Sequence, residues 1–256
     1  MDRISGVLVD LSGVVFSGDA AIGDALTAIA DLRANGIPLR FVTNTTSEPL
    51  RALRERLHRL GIPVADEHIF TPATAARDLV RERGLSTHFL VHPDLLEDFD
   101  PPSGHAPDAV VVGDAGHAFS FEALNAAFRL IDDGAAFIAL ARNRTFRDGT
   151  GALSLDAGPF VAALEYASRR EALLVGKPSA TFYEAARADL GTPAGETVMI
   201  GDDAESDVQG AIAAGMAGIL VRTGKYRPGD EARIEPGPTA TLAHLREAVD
   251  WVLARR

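Results

Sequence analysis

Ile4-Ser5-Gly6-Val7-Leu8-Val9-Asp10-Leu11-Ser12-Gly13-Val14 is the stretch on which the fold turns. A short apolar, β-branched run reads as a buried strand. It stops on a carboxylate and then turns through a glycine, which delivers Asp10 to the rim of a sheet. Three later stretches repeat the device. Leu39-Arg40-Phe41-Val42 runs into Thr43-Asn44, Leu173-Leu174-Val175-Gly176 into Lys177, and Thr197-Val198-Met199-Ile200-Gly201 into Asp202-Asp203. An acid, a hydroxyl, an ammonium and an acidic cluster therefore stand just past the carboxyl ends of four apolar runs. In an open parallel sheet, that edge is where ligands bind.

Outward from these points the chain alternates between strand and helix patterns. Residues 6–43 read as a βαβ unit, with a helix over about 24–34 stopped by Gly36 and a second strand leading to Thr43. After Ser47, read as an N-cap, Leu50, Leu53, Leu57 and Leu60 recur at helical spacing until Gly61. The C-terminal third predicts a strand to Lys177, a helix from about Ala180 to Leu190 and a strand to Asp202. It continues with a short helix ending near Gly215, a strand at Ile219-Leu220-Val221 and a last helix marked by Leu242, Leu245, Val249 and Val252. Between 79 and 170 the motif-bearing pattern pauses while the alternation goes on. Phe89-Leu90-Val91, Ala109-Val110-Val111-Val112 and Phe137-Ile138-Ala139-Leu140 read as strands, and Phe121, Leu124, Phe128 and Ile131 stripe one helix. Residues 101–104 and 147–151 read as loops. The expectation is an α/β fold in two domains. A parallel-sheet core is made of residues 1–78 and 171–256, and a smaller α/β cap, 79–170, is inserted into it as a lid.

Composition narrows the functional classes. The chain has 256 residues, 46% of them apolar and 24% charged, and no apolar run approaches the roughly 20 residues that span a bilayer. It begins Met-Asp-Arg and goes straight into the first strand, without a visible secretion signal. The absence of cysteine excludes disulfides, a thiol nucleophile and Cys-ligated zinc, and fits a cytoplasmic location. A net charge of −11 repels nucleic acid and anionic membranes, so neither is an expected partner. An anionic ligand needs a locally positive pocket. Among 25 basic residues only Lys177 and Lys225 are lysines, and at Lys177 a compact ammonium would suit a crowded phosphate better than a wide guanidinium, unless it merely begins a loop before Pro178.

The residue types at the strand ends form a magnesium and phosphate set. A carboxylate such as Asp10 can attack phosphorus and form an acyl phosphate, which splits one hard displacement into two easier ones. Two anions approach only when a divalent cation and positive donors neutralise the phosphoryl oxygens. Asp202 is the natural second ligand, because Mg²⁺ prefers hard oxygens. Asp203 and Asp207 are placed to hold metal-bound waters or to position Lys177. For Asp207 alone, an acidic helix N-terminus is an equally good account. Thr43 and Asn44 offer a hydroxyl and an amide to phosphate oxygens without adding charge, and Lys177 balances Asp10. His117, in a cap loop, reads first as a surface or dimer contact, with a substrate contact as the alternative.

Taken together, Asp10-Leu11-Ser12-Gly13, Val42-Thr43-Asn44, Val175-Gly176-Lys177-Pro178 and Ile200-Gly201-Asp202-Asp203 resemble the motifs of the haloacid dehalogenase superfamily. The subgroup is the one whose α/β cap lies between the second and third motifs, and the match runs over nearly the whole chain. Gly158-Pro159-Phe160, Ala163-Leu164-Glu165-Tyr166-Ala167 and Arg222-Thr223-Gly224-Lys225-Tyr226-Arg227-Pro228 resemble one branch of it, which includes a phosphatase of pyrophosphate, phospholysine and phosphohistidine. The resemblance implies a Rossmann-like core, Mg²⁺ dependence, an aspartyl-phosphate intermediate at Asp10 and, in many members, a homodimer. It implies catalytic roles for Asp10, Ser12 and Lys177, phosphate contacts at Leu11, Ser12, Thr43, Asn44 and Lys177, and metal contacts at Asp10, Asp202 and the main-chain carbonyl of Ser12.

Ser12 departs from the wider superfamily, which mostly carries a general-acid aspartate there. A serine hydroxyl is a poor acid near neutral pH. The expected substrates are thus small activated phosphates, such as pyrophosphate and phosphoramidates, whose leaving groups need little protonation. The alternatives are a phosphomonoesterase of sugar or nucleotide phosphates and a phosphate-binding regulatory module with little turnover.

Overall fold

A computed structural model describes residues 3–101, 104–147 and 152–256. The loops expected at 101–104 and 147–151 lie largely outside them. The chain divides into two compact units. One takes in the residues up to Thr43, Leu53–Phe70 and Lys177–Arg256, and the other takes in Asn44–Ala52 and Thr71–Gly176.

The first unit is built on a six-stranded parallel sheet. In spatial order its strands are Ala240–Leu242, Ala217–Val221, Thr197–Gly201, Gly6–Asp10, Leu39–Val42 and Ile69–Phe70. All five residues of Gly6–Asp10 are buried, as are those of Thr197–Gly201 and Ala217–Val221. That is why these strands are near-continuous apolar runs rather than alternating ones: both faces of the sheet are covered. Helix Ala180–Leu190 packs against Gly6–Asp10 and Leu39–Val42, and helices Ala25–Ala34 and Leu245–Leu253 pack together, tied by Arg246 to Asp31 at 2.6 Å. From Gly6–Asp10 the chain first builds outward on one side, then returns to build on the other. The order therefore reverses between Gly6–Asp10 and Thr197–Gly201, whose carboxyl ends lead to Asp10 and Asp202. Such a switch point opens a crevice for ligands.

The second unit holds a four-stranded parallel sheet in the order Leu173–Leu174, Ala136–Ala139, Ala109–Val112, Thr87–Leu90. Alternate residues serve opposite faces. Val110, Val112, Phe137 and Ala139 join Ala127, Ile131, Val161 and Leu164 of helices Phe121–Asp132 and Ala157–Ser168. Val111 and Ile138 join Ala73 and Ala76 of helix Pro72–Arg83. The period of two along each strand makes this a sheet with helices on both sides.

Five readings from sequence change. The run to Lys177 forms only a two-residue strand, Leu173–Leu174, and it pairs in the second sheet with Ile138 and Ala139, not in the core sheet. Leu242 ends the edge strand Ala240–Leu242 rather than opening the last helix, which begins at Leu245. Helix Leu50–Arg59 is not capped by Ser47. Its first amide, Leu50 N, donates to both carboxylate oxygens of Asp98, at 3.0 and 3.2 Å. Phe121 stands at the first turn of its helix and is 77% exposed, while Leu124, Phe128 and Ile131 face the core as expected. The second unit also begins earlier than residue 79, because helix Pro72–Arg83 buries Ala73 and Ala76 in its core.

Candidate active site

Asp10 is the last residue of its strand and is paired in register with Val42, so Thr43 lies one residue beyond its neighbour on the adjacent strand. On the other side, Val9 pairs with Ile200, and the chain passes Gly201 to reach Asp202. Asp10, Thr43, Lys177, Asp202 and Asp207 are all buried polar residues. Charges of this kind stay inside a protein only when paired or bound to a cation.

Lys177 Nζ donates to Asp10 Oδ1 at 2.5 Å and to Asp207 Oδ1 at 2.6 Å. Burial opposes its charge, but Asp10 and then Asp207 outweigh burial and hold its pKa above the ordinary lysine value. Removing one partner of a buried pair typically costs about 3–5 kcal/mol, so this lysine has structural weight as well as charge.

Asp207 rides on an unusually wide helical turn, Ala204–Gln209. Val208 N reaches Asp203 O at 3.3 Å, an i to i+5 bond, and Asp207 N reaches the same carbonyl at 3.0 Å. Turns of this width recur at functional sites. The Asp203 carboxylate caps the turn by accepting from the amides of Glu205 and Ser206 at 3.1 and 3.0 Å. Asp207 Oδ2 accepts in turn from Asp203 N at 3.1 Å. Tyr183, fully buried on helix Ala180–Leu190, donates its hydroxyl to the carbonyls of Ser206 and Asp207 at 2.6 and 3.1 Å. Asp207 is pushed up to about 6, chiefly by burial, with Lys177 pulling against the shift and Asp10 and Asp203 adding to it.

Asp202 is gripped between two glycines. A Cβ on Gly13 (φ 86°) or on Gly224 (φ 55°) would collide with Asp202 Oδ2, and both backbones adopt left-handed φ values that side chains avoid. The same oxygen accepts from Lys225 N at 2.7 Å. Burial and the nearby charges of Asp10 and Asp207 hold the Asp202 carboxyl well above its usual range, against the opposing pull of Lys225. Asp203, by contrast, is held below its usual value despite burial, first by the Lys225 charge and then by the Ser206 amide.

Carboxylate oxygens of Asp10, Asp202 and Asp207 lie within 4.8 Å of one another. With Asp203, four carboxylates meet only two ammonium groups. A hard divalent cation would suit this all-oxygen donor set and would supply positive charge that the two ammonium groups do not. Asp207, expected only to support the site, is thus close enough to be a ligand itself.

The remaining expected residues fall as follows. Leu11 has a fully buried side chain, so its contribution is confined to its main chain, whose carbonyl accepts from Val15 and Phe16. Ser12 is exposed. Asn44 is the first residue of the second unit and lies against Gly176, where an added Cβ would stand 2.8 Å from Asn44 Oδ1. His117 is exposed on the turn Gly116–Ala118. Two residues were missed from sequence, Tyr183 and Lys225. The signal for Lys225 was available, since it is the second of only two lysines and follows Gly224 after a strand.

A parallel sheet carrying this acid, lysine and acidic-turn set at its switch point, interrupted by a second α/β unit, defines a hydrolase class. Family models agree: residues 7–100 match "Haloacid dehalogenase-like hydrolase" and residues 174–248 match a related HAD-hydrolase-like model. The chain belongs to the haloacid dehalogenase-like hydrolases, and its relatives make it a phosphatase of that family. It is 46% identical over 250 residues to haloacid dehalogenase-like hydrolase domain-containing protein 2 of Rattus norvegicus, covering 98% of this chain and 96% of that one. It is 39% identical over 256 residues to phospholysine phosphohistidine inorganic pyrophosphate phosphatase of Mus musculus, covering 98% and 94%. In structure it is similar to a 4-nitrophenylphosphatase from Thermotoga maritima, with a TM-score of 0.89, 26% identity and 98% of both chains covered. Among the described residues no helix is long and apolar enough to cross a membrane.

Proposed function

We propose that this phosphatase is Mg²⁺-dependent and hydrolyses small activated phosphates through an aspartyl-phosphate on Asp10. The observation that carries the reading is the buried contact of Asp10 with Lys177 beside the Asp10, Asp202 and Asp207 carboxylates. Asp10, Asp202 and Asp207 would hold the metal, with the Ser12 carbonyl as a further oxygen donor. When bound, Mg²⁺ would neutralise phosphoryl charge and so let an anionic nucleophile approach.

The chain's own residues do the rest. A carboxylate oxygen of Asp10 attacks phosphorus, the bond from phosphorus to the leaving group breaks, and the leaving group departs with the electron pair. Lys177 holds Asp10 in place and offsets the charge of the transferring group, a role that needs no proton transfer. Thr43 and Asn44 bind phosphoryl oxygens by neutral hydrogen bonds. Water then attacks phosphorus, and the bond to Asp10 breaks with its electron pair staying on the carboxylate. The protons of the water end on the phosphate oxygens and exchange with solvent, so that free phosphate leaves and the Asp10 carboxylate is regenerated. Asp207 and Asp203 keep Lys177 and the acidic turn in register throughout.

The leaving group must depart with little help, because Ser12 stands where an acid would. This favours pyrophosphate, phosphoramidate and N-phosphoryl substrates. The names of two relatives fit the same logic. One is a phosphatase of pyrophosphate, phospholysine and phosphohistidine, and the other acts on 4-nitrophenyl phosphate, whose phenolate is weakly basic. The second unit is proposed to select the substrate, and a homodimer is the expected assembly. A panel of pyrophosphate, phosphoramidate, acetyl phosphate and sugar phosphates, assayed with and without Mg²⁺, tests the reading. Activated phosphates should lead and chelation should abolish turnover; faster hydrolysis of sugar phosphates would favour a phosphomonoesterase.

A further inference from the structure

Both lysines of a chain with 25 basic residues stand in one acidic cluster. They are held very differently. Lys177 is buried and bonded to two carboxylates. Lys225 has its main chain fixed, because its amide donates to Asp202 Oδ2 at 2.7 Å and Gly224 before it is pressed against the same carboxylate. Its ammonium is much less constrained. The side chain is 53% exposed, and its ion pair with Asp203 is long, at 3.6 Å. Asp203 is meanwhile engaged as the cap of the wide turn through Glu205 and Ser206. The result is a cation rooted on a candidate metal ligand, beside the acidic cluster, whose side chain is half exposed and whose ion pair with Asp203 is long.

We propose that Lys225 is an anion-binding residue of this site, whose ammonium receives the second anionic group of the substrate, the one not transferred to Asp10. The proposal rests on the phosphatase reading and narrows its substrates to those carrying two anionic groups, of which a diphosphate is the simplest. The chemistry asks for such a residue. As the bond from phosphorus to the leaving group breaks, negative charge builds on the leaving oxygen, and Ser12 cannot quench it with a proton. A nearby ammonium stabilises that charge without transferring anything. A lysine is suited to the task, being a compact point charge on a long stem that can exchange a distant partner, such as Asp203 at 3.6 Å, for a closer one. The same ammonium has little to offer orthophosphate, whose oxygens are served by Lys177, Thr43 and Asn44.

The test is calorimetric titration of the Mg²⁺-loaded wild-type, Lys225→Met and Lys225→Arg proteins with methylenediphosphonate, a non-hydrolysable diphosphate, and with orthophosphate. Lys225→Met should weaken methylenediphosphonate binding by about tenfold or more, while orthophosphate affinity stays within about twofold. Lys225→Arg should recover part of the loss. Equal weakening of both ligands would mean that Lys225 only holds the acidic turn together, and the proposal would be overturned. No weakening of either, or a wild type without preference for the diphosphonate, would overturn it as well. Failure of the phosphatase reading shows separately, as absence of turnover by the wild type in the substrate panel.

Discussion

At the scale of single residues, Asp10 and Ser12 carry opposite expectations. Asp10→Asn preserves shape and the capacity to accept from Lys177, but loses nucleophilicity and most of its value as a metal ligand. Turnover should fall by at least about a thousandfold, while weak binding of phosphate or a metal-fluoride mimic persists. Turnover within tenfold of wild type, in protein free of wild-type contamination, would sink Asp10 as nucleophile. Ser12 is exposed two residues further on, with room for a longer side chain to meet a ligand. Ser12→Asp should install the missing acid and help poor leaving groups most. The plot of log(kcat/KM) against leaving-group pKa should be steep for wild type and flatter for the variant. Parallel slopes would show that proton transfer is handled elsewhere. Some loss with good leaving groups is expected, because another carboxylate near Asp10 adds repulsion.

At the scale of elements, the wide turn Ala204–Gln209 governs how the site responds to pH and metal. Asp207 is pushed up to about 6 in the fold and Asp202 is also raised, against an unfolded aspartate near about 3.9. The folded metal-free protein therefore holds more protons than the unfolded chain between these values. Linkage then requires that Asp207 lower stability as pH rises from about 4 to about 6, its penalty staying constant above, while the raised Asp202 acts in the same direction as pH rises above about 4. A divalent cation binds the deprotonated carboxylates and relieves that penalty. The rise in Tm produced by Mg²⁺ over chelator should consequently be larger at pH 7.5 than at pH 5. A rise that is the same at both values would show that these carboxylates do not bind the metal.

At the scale of the whole molecule, the proposed function divides the labour between two compact units. The first contains Asp10, Thr43, Lys177, Asp202, Asp203 and Asp207, the residues proposed to bind and attack a phosphoryl group. That set would bind the phosphoryl group itself; Lys225, also in the first unit, is proposed to meet a second anionic group, and the rest of the substrate is left to the second unit. Replacing Thr71–Gly176 by a short linker should abolish discrimination among substrates that differ in anything but that anionic group, provided circular dichroism shows the first unit folded. A folded protein that kept the wild-type ranking of substrates would remove the second unit from specificity.

Much of this was determined by sequence alone. Strand ends followed at once by Asp, Thr or an acidic pair are local patterns, and so are helices as regular as Ala180–Leu190, read with both bounds correct. A βαβ rhythm also dictates a parallel sheet, because each return of the chain needs a helix to cross over. Partnership across the chain was beyond local pattern. Leu173–Leu174 is apolar whichever sheet it joins, and only packing assigned it to the second. The cap of helix Leu50–Arg59 comes from Asp98, 48 residues away, so no spacing rule could have found it. Lys225 and Tyr183 reach the acidic cluster from other elements, through a main-chain amide and a buried hydroxyl; the lysine stands in a legible stretch after a strand, but the contact each makes is set only by folding. Sequence thus determined which chemistry is present, because side-chain type and strand-end position are local. Tertiary structure decided which groups touch, because hydrogen bonds and burial depend on residues brought together only by folding.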